Sequence, residues 1–100
     1  MPGPESQPGA ASIRRMVTIC NKRGLHARAA AKLVKLAEAF DADVKVAKNG
    51  SVVSGRSIMG LMMLAAALGT TIEIRATGPA ALAAADAIAA LVAGGFDEED

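Results

Sequence analysis

Two apolar periodicities take turns along the chain. In Arg15 to Cys20 (RMVTIC), Val17 and Ile19 fall on one side of a β-rich run, the two-residue period of a strand. From Ala27 to Phe40 the spacing changes. Ala30, Leu33, Val34, Ala37 and Phe40 recur on one helical stripe, with Arg28, Lys32, Lys35 and Glu38 off it. Strict alternation returns in Asp43 to Lys48 (DVKVAK), Asn49-Gly50 supplies a tight hairpin turn, and Ser51 to Ser54 is the returning strand. Ser57 opens a short second helix that runs to Leu64. Ile58, Leu61 and Leu64 share a stripe there, and at least Leu61 and Leu64 are expected inside. After Gly69, Thr70 to Ala76 (TTIEIRA) alternates again, with Ile72 and Ile74 inward and Glu73 and Arg75 outward. Gly78-Pro79 starts a long alanine-rich helix, Pro sitting early where its missing N–H costs nothing. Leu82, Ala85, Ile88, Leu91 and Val92 give that helix a buried face.

The predicted order is βαββαβα. Alternation of apolar and charged positions in the second and fourth strands means that one sheet face is wet and the other is covered by helices. That is the habit of an antiparallel α+β sheet, not of a parallel one buried on both sides. Residues 1–12 (MPGPESQPGAAS) lack hydrophobic periodicity and read as a disordered leader. Residues 13–93 form the folded domain, and residues 94–100 read as a helix stop followed by an acidic flexible tail.

Composition narrows the function. With no Trp or Tyr and two Phe in 100 residues, the chain has few aromatics on which bases could stack, so a nucleic-acid partner is not expected. No apolar run is long enough to cross a bilayer, and the N-terminus lacks the apolar stretch of a signal peptide. Lone Cys20 cannot form an internal disulfide, which fits a reducing compartment and a cytoplasmic location. The formal charge of +1 hides an asymmetry. Residues 13–93 hold all eleven Lys and Arg but five acids, while Asp97, Glu98, Glu99 and Asp100 cluster at the end. A basic body suits an anionic partner, although an ordinary solvated surface explains it equally well.

The chemistry concentrates in Gly24-Leu25-His26-Ala27-Arg28-Ala29-Ala30-Ala31-Lys32. His26 is the only histidine, and it stands where a loop becomes a helix. Unpaired N–H groups and the positive end of the helix dipole gather there, a ready anion site. Arg28 adds a guanidinium suited to phosphate oxygens, and Gly24 lets the loop pass close to a docking partner. A nearby positive helix end disfavours protonation of an imidazole, which must be neutral to attack phosphorus. The same helix end stabilises an anionic adduct by only ~0.3–1 kcal/mol, or ~2 if partly buried. The phosphoryl group therefore stays transferable. No acid lies near His26 in sequence, and no second histidine or metal-ligand spacing exists, so neither a metal site nor a Ser-His-Asp triad has material to build from. A lone His at a helix start can also be a plain capping or surface residue.

Over residues 15 to 93 the sequence resembles the HPr family of bacterial phosphotransferase-system carriers. GLHARAAAK is similar to that family's signature GLHARPAA; NGSVVSGRSIMGLMMLAA resembles its hairpin and regulatory helix, and GTTIEIRATG its last strand. The resemblance implies an open-faced β-sandwich, a four-stranded antiparallel sheet covered on one face by three helices. It implies that phospho-enzyme I phosphorylates His26 on Nδ1, that Arg28 partners the phosphate, and that a histidine of an EIIA-type protein receives it. The chain would then be a carrier and not an enzyme, without cofactor or metal, and a monomer. Docking would use exposed apolar residues near the two helix starts: Leu25, Ala27, Ile58, Met59, Met62 and Met63. Methionine suits a surface that must fit several partners. Ser57, at a helix N-cap, matches the serine targeted by an HPr kinase/phosphorylase.

Two departures bear on the pathway. Ala29 stands where the family signature has Pro, as is common in the nitrogen-related branch (NPr), and Lys22-Arg23 precede Gly24. The alternatives are therefore sugar uptake and a regulatory relay without transport. Outside the family, His26 and Arg28 could serve a non-covalent anion-binding module.

Overall fold

The computed structural model describes residues 12–98. The chain runs β1 (Ser12–Thr18), α1 (Ala27–Glu38), β2 (Asp43–Lys48), β3 (Ser51–Ser54), α2 (Ile58–Met63), β4 (Thr71–Thr77) and α3 (Ala81–Ala93), then a 3-10 turn at Gly95–Asp97. The strands form one antiparallel sheet in the order β1-β4-β2-β3. This is the open-faced βαββαβα arrangement that the periodicities predict.

Period-two patterning on β4 builds the core. Ile72, Ile74 and Ala76 are buried, and pairing aligns them with Val17 of β1 and with Val44 and Val46 of β2. Burying each such aliphatic side chain contributes about 1.5–3 kcal/mol relative to leaving it in water. Leu33 and Ala37 of α1, Leu61 of α2 and Ile88 of α3 close over that face. On the other face Arg14, Arg75 and Lys45 stand in one cross-strand row, where like charges repel. Glu73, bridging Arg75 and Arg14, and Asp43, holding Lys45 at 2.5 Å, offset the repulsion. The hairpin turns through Asn49 (φ 49°) and Gly50 (φ 85°), two successive left-handed residues that match the twist of the strands.

Several boundaries and burials differ from the sequence reading. β1 starts at Ser12 and stops at Thr18 because the seven residues of β4 offer it partners from Thr77 back to Thr71. Ser12 therefore belongs to the sheet; the rest of the leader, residues 1–11, lies outside the described residues. Leu82 is 54% exposed instead of buried. Ala81, Ala84, Ala85, Ile88 and Val92 form the covered stripe, and Leu82 stands about 100° round the helix from Ala81. Leu25 is 5% exposed and belongs to the core, so it is not an exposed docking residue. Ile58, on the stripe of Leu61 and Leu64, is 40% exposed while those two are buried.

The largest correction concerns the acidic tail. Gly95 and Phe96 are buried, Phe96 fully, and Lys32 Nζ donates to the Phe96 carbonyl at 2.6 Å. Burial of an aromatic ring outweighs the solvation of the neighbouring acids. Residues 94–98 are thus a strap on the domain, and Glu99 and Asp100 lie outside the described residues. Among the described residues no helix is long and apolar enough to cross a membrane.

Candidate functional site

The site starts from the loop between β1 and α1. Leu25 sinks into the core and its amide donates to the Ala66 carbonyl at 2.9 Å. Gly24, at φ 64°, lies against the backbone of Ala66 and Ala67; a Cβ there would stand 2.9 Å from Ala67 Cα. The freedom of Gly24 therefore serves a close approach within the chain, not to a docking partner. Asn21, 2% exposed, donates from Nδ2 to the Gly24 carbonyl at 2.9 Å and closes the loop.

These restraints leave His26 at the N-cap of α1, in extended backbone (φ −77°, ψ 178°) and without a side-chain cap bond. The first-turn amides of α1 have no intrahelical partner, as at any helix start. Ala29, as N3, contributes an N–H that a proline would lack. The imidazole is partly exposed beside a cleft of about 240 Å³ lined by Arg23, Leu25, His26 and Ala65 to Ala67. Ala65, which follows α2, holds a left-handed φ of 52°, and Lys48 Nζ secures this helix end by donating to the carbonyls of Leu64 (2.9 Å) and Ala65 (3.1 Å).

A carboxylate completes the site. Glu98, carried by the strap, accepts from His26 Nε2 with Oε2 and from Asn21 Nδ2 with Oε1, the latter at 3.0 Å. The bond from His26 and then the bond from Asn21 hold the Glu98 carboxyl below its ordinary value of 4.5. A lowered carboxylate value means that this contact is fully present above 4.5 and is lost as pH falls through the lower folded value. The Glu98 carboxyl carbon should accordingly titrate with a midpoint below 4.5 in an NMR titration, and His26→Ala should raise that midpoint. Sequence reasoning missed Asn21 and Glu98. The available signal was Phe96, an aromatic residue inside a segment otherwise read as solvated.

The other predicted residues are more loosely arranged. Arg28 and Ala27 are exposed on the first turn of α1. Ser57 caps α2, its Oγ accepting from the Gly60 amide at 2.9 Å. Met59 (70% exposed), Met62 (40%) and Met63 (79%) line the outer side of α2, which packs on α1. Among the described residues no cluster of three or more His, Cys, Asp or Glu could hold a metal ion.

The family model for the PTS HPr component phosphorylation site matches residues 13–94. Phosphocarrier protein HPr of Cupriavidus necator is 50% identical over 86 residues, covering 86% of this chain and 97% of that protein. Phosphocarrier protein NPr of Shewanella violacea is also 50% identical over 86 residues, covering 86% and 94%. The crystal structure of phosphocarrier protein HPr from Bacillus anthracis superposes with a TM-score of 0.79 at 41% identity, covering 82% of this chain and 98% of that one. That of HPr-C-His from Thermoanaerobacter tengcongensis gives 0.83 at 35% identity, covering 88% and 99%. On fold and sequence together, the chain belongs to the HPr family of phosphotransferase-system phosphocarriers.

Proposed function

We propose that His26 accepts the phosphoryl group from phospho-enzyme I on Nδ1 and passes it to a histidine of an EIIA-type protein. The observation that carries this reading is the placement of the imidazole at the N-cap of α1 with no capping bond of its own, beside the unpaired amides of the first turn. As the N–P bond forms, the donor's P–N bond breaks and its electron pair returns to the donor nitrogen. Arg28 and the first-turn N–H groups face the charge on the transferred oxygens. They do so from an exposed helix end, which stabilises the adduct enough to form and little enough to leave. Incubation with phosphoenolpyruvate and enzyme I should put an acid-labile, base-stable phosphate on the protein. Its failure to appear while the protein is folded would rule the carrier reading out and favour a non-covalent anion site.

Arg28→Ala should slow transfer by roughly tenfold without abolishing it, because the helix amides remain. Quenched-flow measurement of labelling from phospho-enzyme I reads this directly, and Arg28→Lys should recover only part of the loss.

Ser57 is the proposed target of an HPr kinase/phosphorylase. A phosphate on a helix N-cap is compatible with the helix, but it places about two negative charges beside the exposed Ile58 and Met59. Partners of this surface, Ala27, Ile58, Met59, Met62 and Met63, would then meet repulsion and a poorer apolar contact. Ser57→Asp should therefore be phosphorylated at His26 more slowly than wild type; equal rates would count against the switch. The equal likeness to an HPr and an NPr leaves both sugar uptake and a regulatory relay within the proposal. Ala29 in place of proline favours the relay, and transfer rates to EIIA-type proteins of the two branches would decide it.

A further inference from the structure

The strap after α3 brings a carboxylate onto the imidazole from the far end of the chain. Four contacts hold it there. The Phe96 ring is fully buried, Lys32 Nζ donates to the Phe96 carbonyl at 2.6 Å, Asn21 Nδ2 donates to Glu98 Oε1 at 3.0 Å, and His26 Nε2 meets Glu98 Oε2. Asn21 spends its other amide hydrogen on the Gly24 carbonyl at 2.9 Å, so the loop that places His26 and the strap share one buried residue. The Asn21 amide cannot turn over, because its oxygen would then face two acceptors.

We infer that Glu98 is a positioning residue for phosphoryl transfer, holding the neutral imidazole in the tautomer with hydrogen on Nε2 and the lone pair on Nδ1. An ionised carboxylate can only accept, so the hydrogen it shares with a neutral ring must sit on Nε2. Its bonds from His26 and Asn21 keep Glu98 ionised. The fixed bond also sets the ring plane, which directs Nδ1 away from the strap. When Nδ1 forms its bond to phosphorus, the donor's nitrogen keeps the electrons of the broken P–N bond. The hydrogen stays on Nε2, and the ring takes up positive charge that Glu98 faces directly. The reverse transfer to an acceptor histidine returns the ring to the same tautomer.

This inference rests on His26 being the acceptor, and its test separates the two. The full-length protein labelled with ¹⁵N-histidine is compared with Glu98→Gln and Glu98→Ala by long-range ¹H–¹⁵N correlation, at a pH where the ring is neutral. Wild type and Glu98→Gln, whose amide oxygen still accepts, should show one pyrrole-like Nε2 and one pyridine-like Nδ1. In Glu98→Ala the two shifts should move toward each other, as in a free imidazole. At saturating phospho-enzyme I, Glu98→Ala should be phosphorylated roughly tenfold more slowly, the scale of partners that fix a histidine's tautomer elsewhere. Its half-saturation should stay near the wild-type value, and Glu98→Gln should recover part of the rate. Unchanged ring shifts in Glu98→Ala, or an unchanged rate, would overturn the inference. Shifts that move as expected while no variant, wild type included, takes up phosphate would overturn the carrier reading and leave the strap contact standing.

Discussion

Replacing His26 by Ala is expected to abolish phosphoryl uptake while leaving the domain folded. It is the only histidine of the chain, so no neighbouring ring can take over. Its side chain makes no helix-capping bond and is partly exposed, hence among the described residues its loss removes one side-chain hydrogen bond, that with Glu98. Capping substitutions cost up to about 2 kcal/mol where a bond is lost; here the cost should be near 1 kcal/mol or less, a shift in Tm within about 8 °C for a domain of this size. Labelling from phosphoenolpyruvate and enzyme I should fall to background, with far-UV circular dichroism unchanged. Residual acid-labile phosphate on the variant would place the acceptor elsewhere.

Gly24→Ala should do the opposite, disturbing the fold more than any single contact at the site. The residue sits at φ 64°, where an L side chain is strained. Its new methyl would also press on the backbone of Ala66 and Ala67, which cannot rotate aside as a flexible side chain does. Strain of about 1–3 kcal/mol at such a φ, together with overpacking of similar size, predicts a loss of roughly 2–6 kcal/mol. Chemical denaturation would show it as a lower midpoint at constant m-value. Because the Leu25 amide bond to Ala66 lies next along the chain, His26 should also be misplaced, and phosphorylation should slow in the fraction that stays folded.

The sheet was legible because its signals are local. Strict alternation in β2 and β4 and the Asn49-Gly50 turn need no knowledge of what packs on them. Leu82 misled because hydrophobicity ranks Leu above Ala, whereas proximity of α3 to the sheet selects methyl groups on the covered stripe. Leu25 misled for a related reason: an apolar residue beside a candidate nucleophile suits docking as well as anchoring, and only the Ala66 contact separates the two. His26 was visible as a helix start with a free anion-binding end. Its partner Glu98 was not, being 72 positions away in a cluster of acids whose charge suggested solvent. Long-range pairings of this kind leave no periodic trace; the sole mark was a phenylalanine in the wrong company.

The strand order carries a consequence for how the molecule comes into being. β4 lies between β1 and β2, yet it is the last strand to be synthesised. Until Thr71–Thr77 leave the ribosome, the β2–β3 hairpin is the only strand pair among the described residues that can form, and an isolated hairpin is marginal in water. β1 must wait for partners that arrive more than fifty residues later, Thr71 for Thr18 and Thr77 for Ser12. Such non-local closure slows folding and leaves a nascent edge open to wrong partners. The strap follows later still, so a newly made copy gains its sheet first and the Glu98 contact that orders His26 last.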